Sequence, residues 1–138
     1  MTARLLCLSA LLALSACAPR EADEMSRMDP DARVESVAQL EARLGSTGFL
    51  LQPRGFSTDP LVPATAAEYV LGGTGQGFLQ AYTFSSEAEA QRNLNEVAAS
   101  GGATRVRVYQ SGPLVVAYYG SDTNVGATLT RLLGPPQF

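Results

Sequence analysis

The chain has no lysine, no histidine and no tryptophan, and only two cysteines among its 138 residues. Each absence removes a class of chemistry. Without histidine or a free thiol, the usual zinc and copper sites and the histidine-dependent triads lack a ligand or a base. Without lysine there is neither a P-loop nor a Schiff-base nucleophile. The 10 positive charges are all arginine, set against 13 acidic residues for a net charge of −3. That acidic balance argues against nucleic acid as a partner. Carboxylates, arginine, tyrosine and hydroxyls remain as the chemical groups, and neither a metal nor a cofactor is expected.

An apolar stretch, Leu5 to Leu14, follows the single positive charge of Arg4. It is about half of the roughly 20 residues a membrane-spanning helix needs, and it matches the hydrophobic region of an export signal. The stretch closes on Leu14-Ser15-Ala16-Cys17, which resembles the lipobox of bacterial lipoproteins. There the thiol takes a diacylglycerol and, after cleavage, the modified cysteine becomes the first residue. On this reading residues 1–16 are a signal peptide, Cys17 is the lipidation site, and 122 of the 138 residues remain. Cys7 leaves with the signal, so the mature domain has no thiol and no disulfide and is held by its core alone. Acyl chains, each buried methylene adding about 0.8 kcal/mol, would anchor the protein to a membrane. The expected address is the cell envelope, outside the cytoplasm, at the outer membrane if the cell has one.

Residues 17–29 are charged and aperiodic and read as a tether, spanning about 20 Å if they behave as a flexible coil. Residues 30–138 read as one domain. A helix is expected from Asp29-Pro30, with Val34, Val37, Leu40 and Leu44 on one face and a stop at Gly45. Phe49–Leu51 reads as a short strand, and the proline-containing segment 53–65 as a loop. Glu68–Leu71 and Gly77–Phe84 form a hairpin around Gly72-Gly73-Thr74-Gly75-Gln76. Ser86 and Glu89 form a capping box for a helix that ends at Gly101-Gly102. Thr104–Gln110 and Leu114–Tyr119 form a second hairpin through Ser111-Gly112-Pro113. A last helix starts near Ser121 or Asp122 and stops at Gly134-Pro135-Pro136. The order α-β-β-β-α-β-β-α predicts an α+β fold: an antiparallel sheet of about five strands with helices packed on one face.

Three blocks carry a resemblance. They are Leu79–Phe84 running into an Ala/Glu-rich helix, the strand Leu114–Tyr119 with Gly120, and the ending Leu132-Leu133-Gly134-Pro135 with Gln137-Phe138. Over roughly residues 40–138 the chain resembles small bacterial envelope lipoproteins without an assigned activity. It departs from them in a shortened stretch, Gly101–Thr104, and in an extra Pro136. The resemblance implies a fold and an address, and no chemistry.

Alternation places Arg105, Arg107 and Tyr109 on one strand face. Two guanidiniums grip a phosphate or carboxylate bidentately, and a ring can stack beside them, so these three residues are the candidate ligand site. The glycine-rich loop 72–77 leads into a strand rather than a helix and so fails the phosphate-loop pattern. Glu87 and Glu89 stand where a helix dipole favours negative charge. The expected function is a lipid-anchored, non-enzymatic module that binds another envelope protein or a cell-wall polymer. The alternatives are a hydrolase built from carboxylates and hydroxyls, and an inhibitor of a lytic enzyme or protease that projects segment 53–65.

Overall fold

The computed structural model describes residues 32–102 and 105–138. The signal segment, Cys17, the tether and the expected helix start at Asp29-Pro30 lie outside the described residues. Arg33–Phe138 forms one compact unit. Its elements are α1 (Val37–Ser46), β1 (Phe49–Thr58), β2 (Thr65–Gly73), β3 (Gly77–Thr83), α2 (Glu87–Arg92), α3 (Leu94–Ser100), β4 (Val106–Ser111), β5 (Leu114–Tyr119) and α4 (Thr123–Leu133). The class is α+β and the order is the expected one, with the middle helix broken at Asn93. There the side-chain amide donates to Glu89 O at 2.8 Å, in competition with the helix backbone.

Two of the helices, α1 and α2, begin by one rule. Ser36 Oγ accepts from Gln39 N at 3.2 Å, and Gln39 Oε1 accepts from Glu35 N at 2.8 Å. Ser86 Oγ accepts from Glu89 N at 3.1 Å, and Glu89 accepts from Ser85 N at 2.9 Å and from Ser85 Oγ. Both are capping boxes in which the third side chain reaches one residue further back than usual. The first helix therefore starts at Val37, and Val34 stands ahead of the cap while still buried beside Leu40 and Leu44. Asp122 caps α4, its Oδ1 accepting from Asn124 N at 2.9 Å and from Val125 N at 3.4 Å.

The five strands lie in the order β1-β2-β3-β5-β4, each antiparallel to its neighbour. β3 and β4 run parallel with β5 inserted between them, a split β-α-β crossover through α2 and α3. β4 and β5 are joined by Gly112-Pro113, with Gly112 at φ +58°, the left-handed conformation a two-residue hairpin demands. Segment 53–65 is not a loop throughout, because β1 continues through Pro53 to Thr58. Pro53 is tolerated because β1 is an edge strand, and a bulge between Pro53 and Gly55 leaves Arg54 unpaired. The rigid projecting loop required by the inhibitor reading is thereby reduced to the turn 59–64.

Helices cover both faces, not one. α1 and α4 close over Phe49, Tyr69, Leu71, Leu79, Tyr109, Leu114, Val116 and Tyr118. α2 and α3 close over Val108, Val115, Ala117 and Tyr82 on the opposite face. The cause is β5, whose residues Leu114 to Tyr118 are all buried, so that both of its sides need cover.

Candidate interaction surface

The cover is uneven. On the first face α1 lies over the β1–β3 half and α4 over β4. On the second face α2 and α3 lie over β4 and β5. Val62, from the β1–β2 turn, folds over the near end of the remaining quarter, beside Ala66 and Tyr82. What is left is the far part of β1, β2 and β3 on the second face. There Leu50 is 60% exposed, and Val70, Gly72 and Phe78 are half-buried. Register places Leu50 beside Gly72 and Val70 beside Phe78, which leans on Tyr119 with ring centroids 5.9 Å apart.

A polar cluster borders this apolar patch, centred on Gln80. Its Nε2 donates to Glu68 Oε1 at 2.9 Å and to Ser57 Oγ at 3.4 Å. Its Oε1 accepts from Tyr119 OH at 3.0 Å and from Tyr82 OH at 3.2 Å. Tyr82 OH also lies 3.4 Å from Ser100 Oγ, at the end of α3. One amide thus ties four strands and a helix together, with both of its hydrogens and both of its lone pairs used. Burial pushes the Tyr82 and Tyr119 phenols above their ordinary value, so both remain protonated donors at neutral pH rather than bases.

A second cluster lies at the far end of the sheet, around an open cavity of about 400 Å³ lined by Gln76, Gly77, Gly120, Ser121 and Asp122. Tyr118 OH donates to Gln76 O at 2.7 Å and accepts from Asp122 N at 3.2 Å. Asp122 Oδ2 accepts from Gln76 N at 3.1 Å. These groups are spent on one another, and the Asp122 carboxylate already occupies the anion-favouring start of α4. The glycine-rich loop owes its composition to this packing. A β-carbon on Gly77, at φ +130°, would stand 2.5 Å from Tyr118 Cε2 and 2.9 Å from Tyr119 O.

The arginine stripe is not assembled as expected. Tyr109 is completely buried beneath α4, its OH donating to Gly126 O at 3.4 Å. Arg107 is exposed, and its guanidinium lies against Gly126 of α4. Arg105 is exposed, just ahead of β4. Alternation grouped the residues of one face but could not say that a helix covers it, so the ring that was to stack on a ligand belongs to the core. Glu87 pairs with Arg33 at 3.4 Å. Glu89 is held below its ordinary value by the hydrogen bonds from Ser85, and Glu68 is held by Gln80.

No family model, curated protein or solved structure matches this chain. The Gln80 cluster was missed at the level of sequence, though a lone amide inside the apolar strand Phe78–Thr83 was its signal. A buried polar side chain between strands needs partners, and Tyr82 stands only two residues away.

Proposed function

We propose that the chain is a lipid-anchored envelope lipoprotein whose domain acts as a non-enzymatic interaction module, docking a second envelope component on the open quarter of its sheet. The address rests on residue order alone: Arg4, the apolar stretch 5–14, and a cysteine preceded by Leu-Ser-Ala. The observation that carries the binding role is the uncovered patch of Leu50, Val70 and Phe78 beside the Gln80 cluster. Most of the rest of the described sheet is closed by a helix or a turn, and an apolar centre with a polar rim is the anatomy of a protein-docking surface. The state of the polar groups favours binding over catalysis. The phenols are raised, the amide is saturated, and the carboxylates of Glu68 and Asp122 are engaged.

Crosslinking of the tagged protein in intact cells tests this. Wild type is expected to recover a specific envelope component, and Leu50→Glu with Phe78→Glu to lose it. Reversal of charge at Arg105 and Arg107 is expected to leave recovery unchanged. If the arginine double variant loses the component and the patch variant keeps it, the docking surface is the arginine pair instead.

A further inference from the structure

All the features at one end of the sheet can be placed from the register. Thr58 pairs with Thr65, Ala66 with Tyr82, Thr83 with Leu114, and Leu114 with Ser111. The β1–β2 turn, the end of β3 and the β4–β5 turn therefore share one end. The chain enters the folded unit at that same end. Arg33 Nε donates to Ser111 Oγ at 3.2 Å, and Arg33 lies 3.4 Å from Glu87. The described chain thus begins where the β1–β2 turn projects.

Two of the most exposed large apolar side chains stand there as well. Phe56 is 80% exposed near the end of β1, and Leu61 is 71% exposed in the turn. The turn itself is braced. Asp59 Oδ1 accepts from Leu61 N at 2.9 Å, and the neighbouring Val62 is buried, so Leu61 is turned outward by a fixed backbone. Leu50, the exposed leucine of the docking patch, sits at the opposite end of β1, six residues from Phe56 and roughly 20 Å away at 3.3 Å per residue.

We propose that this end of the domain, with Leu61 at the tip of the β1–β2 turn and Phe56 beside it, rests in the headgroup boundary of the bilayer to which Cys17 is tethered. The inference depends on the lipoprotein reading and deepens it by orienting the domain. Residues 18–31 would separate the lipid from the described chain by about 20 Å if they behave as a flexible coil, while the nine residues of β2 span about 30 Å. The tether therefore keeps the entry end near the lipid more readily than the far end. Charges of both signs stand at this end, Glu35, Asp59, Glu87 and Glu89 against Arg33, Arg92 and Arg131, so no strong field of one sign draws it to a charged surface. The contact is apolar, made by an aromatic and a leucine side chain at the interface. It leaves the docking patch pointing away from the membrane.

The absence of tryptophan makes the test clean. The full-length mature lipoprotein is purified as Phe56→Trp, Leu61→Trp or Leu50→Trp and reconstituted into phosphatidylcholine vesicles with or without bromine-bearing acyl chains. Tryptophan at positions 56 and 61 is expected to emit at shorter wavelength and to lose most of its emission to the brominated lipid. Tryptophan at 50 is expected to be quenched by neither lipid. Water-like, unquenched emission from 56 and 61 in anchored protein would overturn the orientation. So would a blue shift without bromine quenching, which would mean that a protein surface covers them. Mass analysis of the same preparations separates the two levels: protein without lipid on Cys17 refutes the address, whereas lipidated protein with exposed tryptophans refutes only the contact.

Discussion

At the scale of the residue, a few side chains decide whether neighbouring elements meet. Gly77 lets Tyr118 reach across to Gln76 and Asp122, and a methyl group there would collide with both a ring and a carbonyl. Gly77→Ala is expected to destabilise the domain by about 2–4 kcal/mol, from overpacking and a disfavoured backbone together. Gly45, inside α1 with nothing within 4 Å of its would-be β-carbon, gives the opposite sign. Gly45→Ala should stabilise by about 0.5–1 kcal/mol through helix propensity. Urea unfolding of the pair, read at the midpoint, reports both. Gln80 is the other decisive residue. Gln80→Leu leaves two phenols and the Glu68 carboxylate without their shared partner, and water reaches the half-buried site only in part. A loss of about 1–2 kcal/mol is expected in the same assay.

At the scale of the element, α1 is fastened to the sheet by Leu40 and Leu44 in the core and by Tyr69 OH donating to Glu41 Oε1 at 2.5 Å. Burial, and then Glu41, push the Tyr69 phenol up to about 12. A group whose folded value is raised stabilises fully below its unfolded value, here 10.0, and loses that contribution as pH climbs through the folded value. Wild type should therefore exceed Tyr69→Phe in stability by about 1 kcal/mol at neutral pH. The advantage should vanish between pH 10 and about 12, as followed by urea midpoints across that range.

The element scale is also where the sequence is most legible. Leu114–Tyr119 and the stop at Gly134 were plain from apolar runs and turn residues. β1 was cut short because Pro53 argues against a central strand, and nothing local says that β1 is an edge. The two-sided cover was encoded in the unbroken run Leu114–Tyr118, which has no solvated alternate. Reading the arginine stripe instead, with its regular alternation, gave one covered face and mistook a core tyrosine for a ligand platform. The open quarter could not be read at all. It depends on which strands α2 and α3 leave uncovered, and that is a property of topology.

At the scale of the whole molecule, the two sheet edges are blunted by different means. β1 carries Pro53, a bulge and Arg54. β4 is covered by the chain end, with Gln137 N donating to Val108 O at 2.7 Å and Val108 N donating to Phe138 O at 3.3 Å. The backbone of Phe138 is thus engaged while the residue remains 51% exposed. With the edges protected, the open quarter is the surface we propose for a partner, and the proposed anchor would hold the domain at a membrane with that surface turned away from it. Lipidation of Cys17 comes first, because the proposed docking and orientation at a membrane both presuppose it. The direct measurement is mass spectrometry of the N-terminal peptide of the protein purified from its native membranes. The expected result is a chain that begins at Cys17 and carries diacylglycerol on its sulfur. A chain cleaved elsewhere, or one with an unmodified Cys17 thiol, would contradict it.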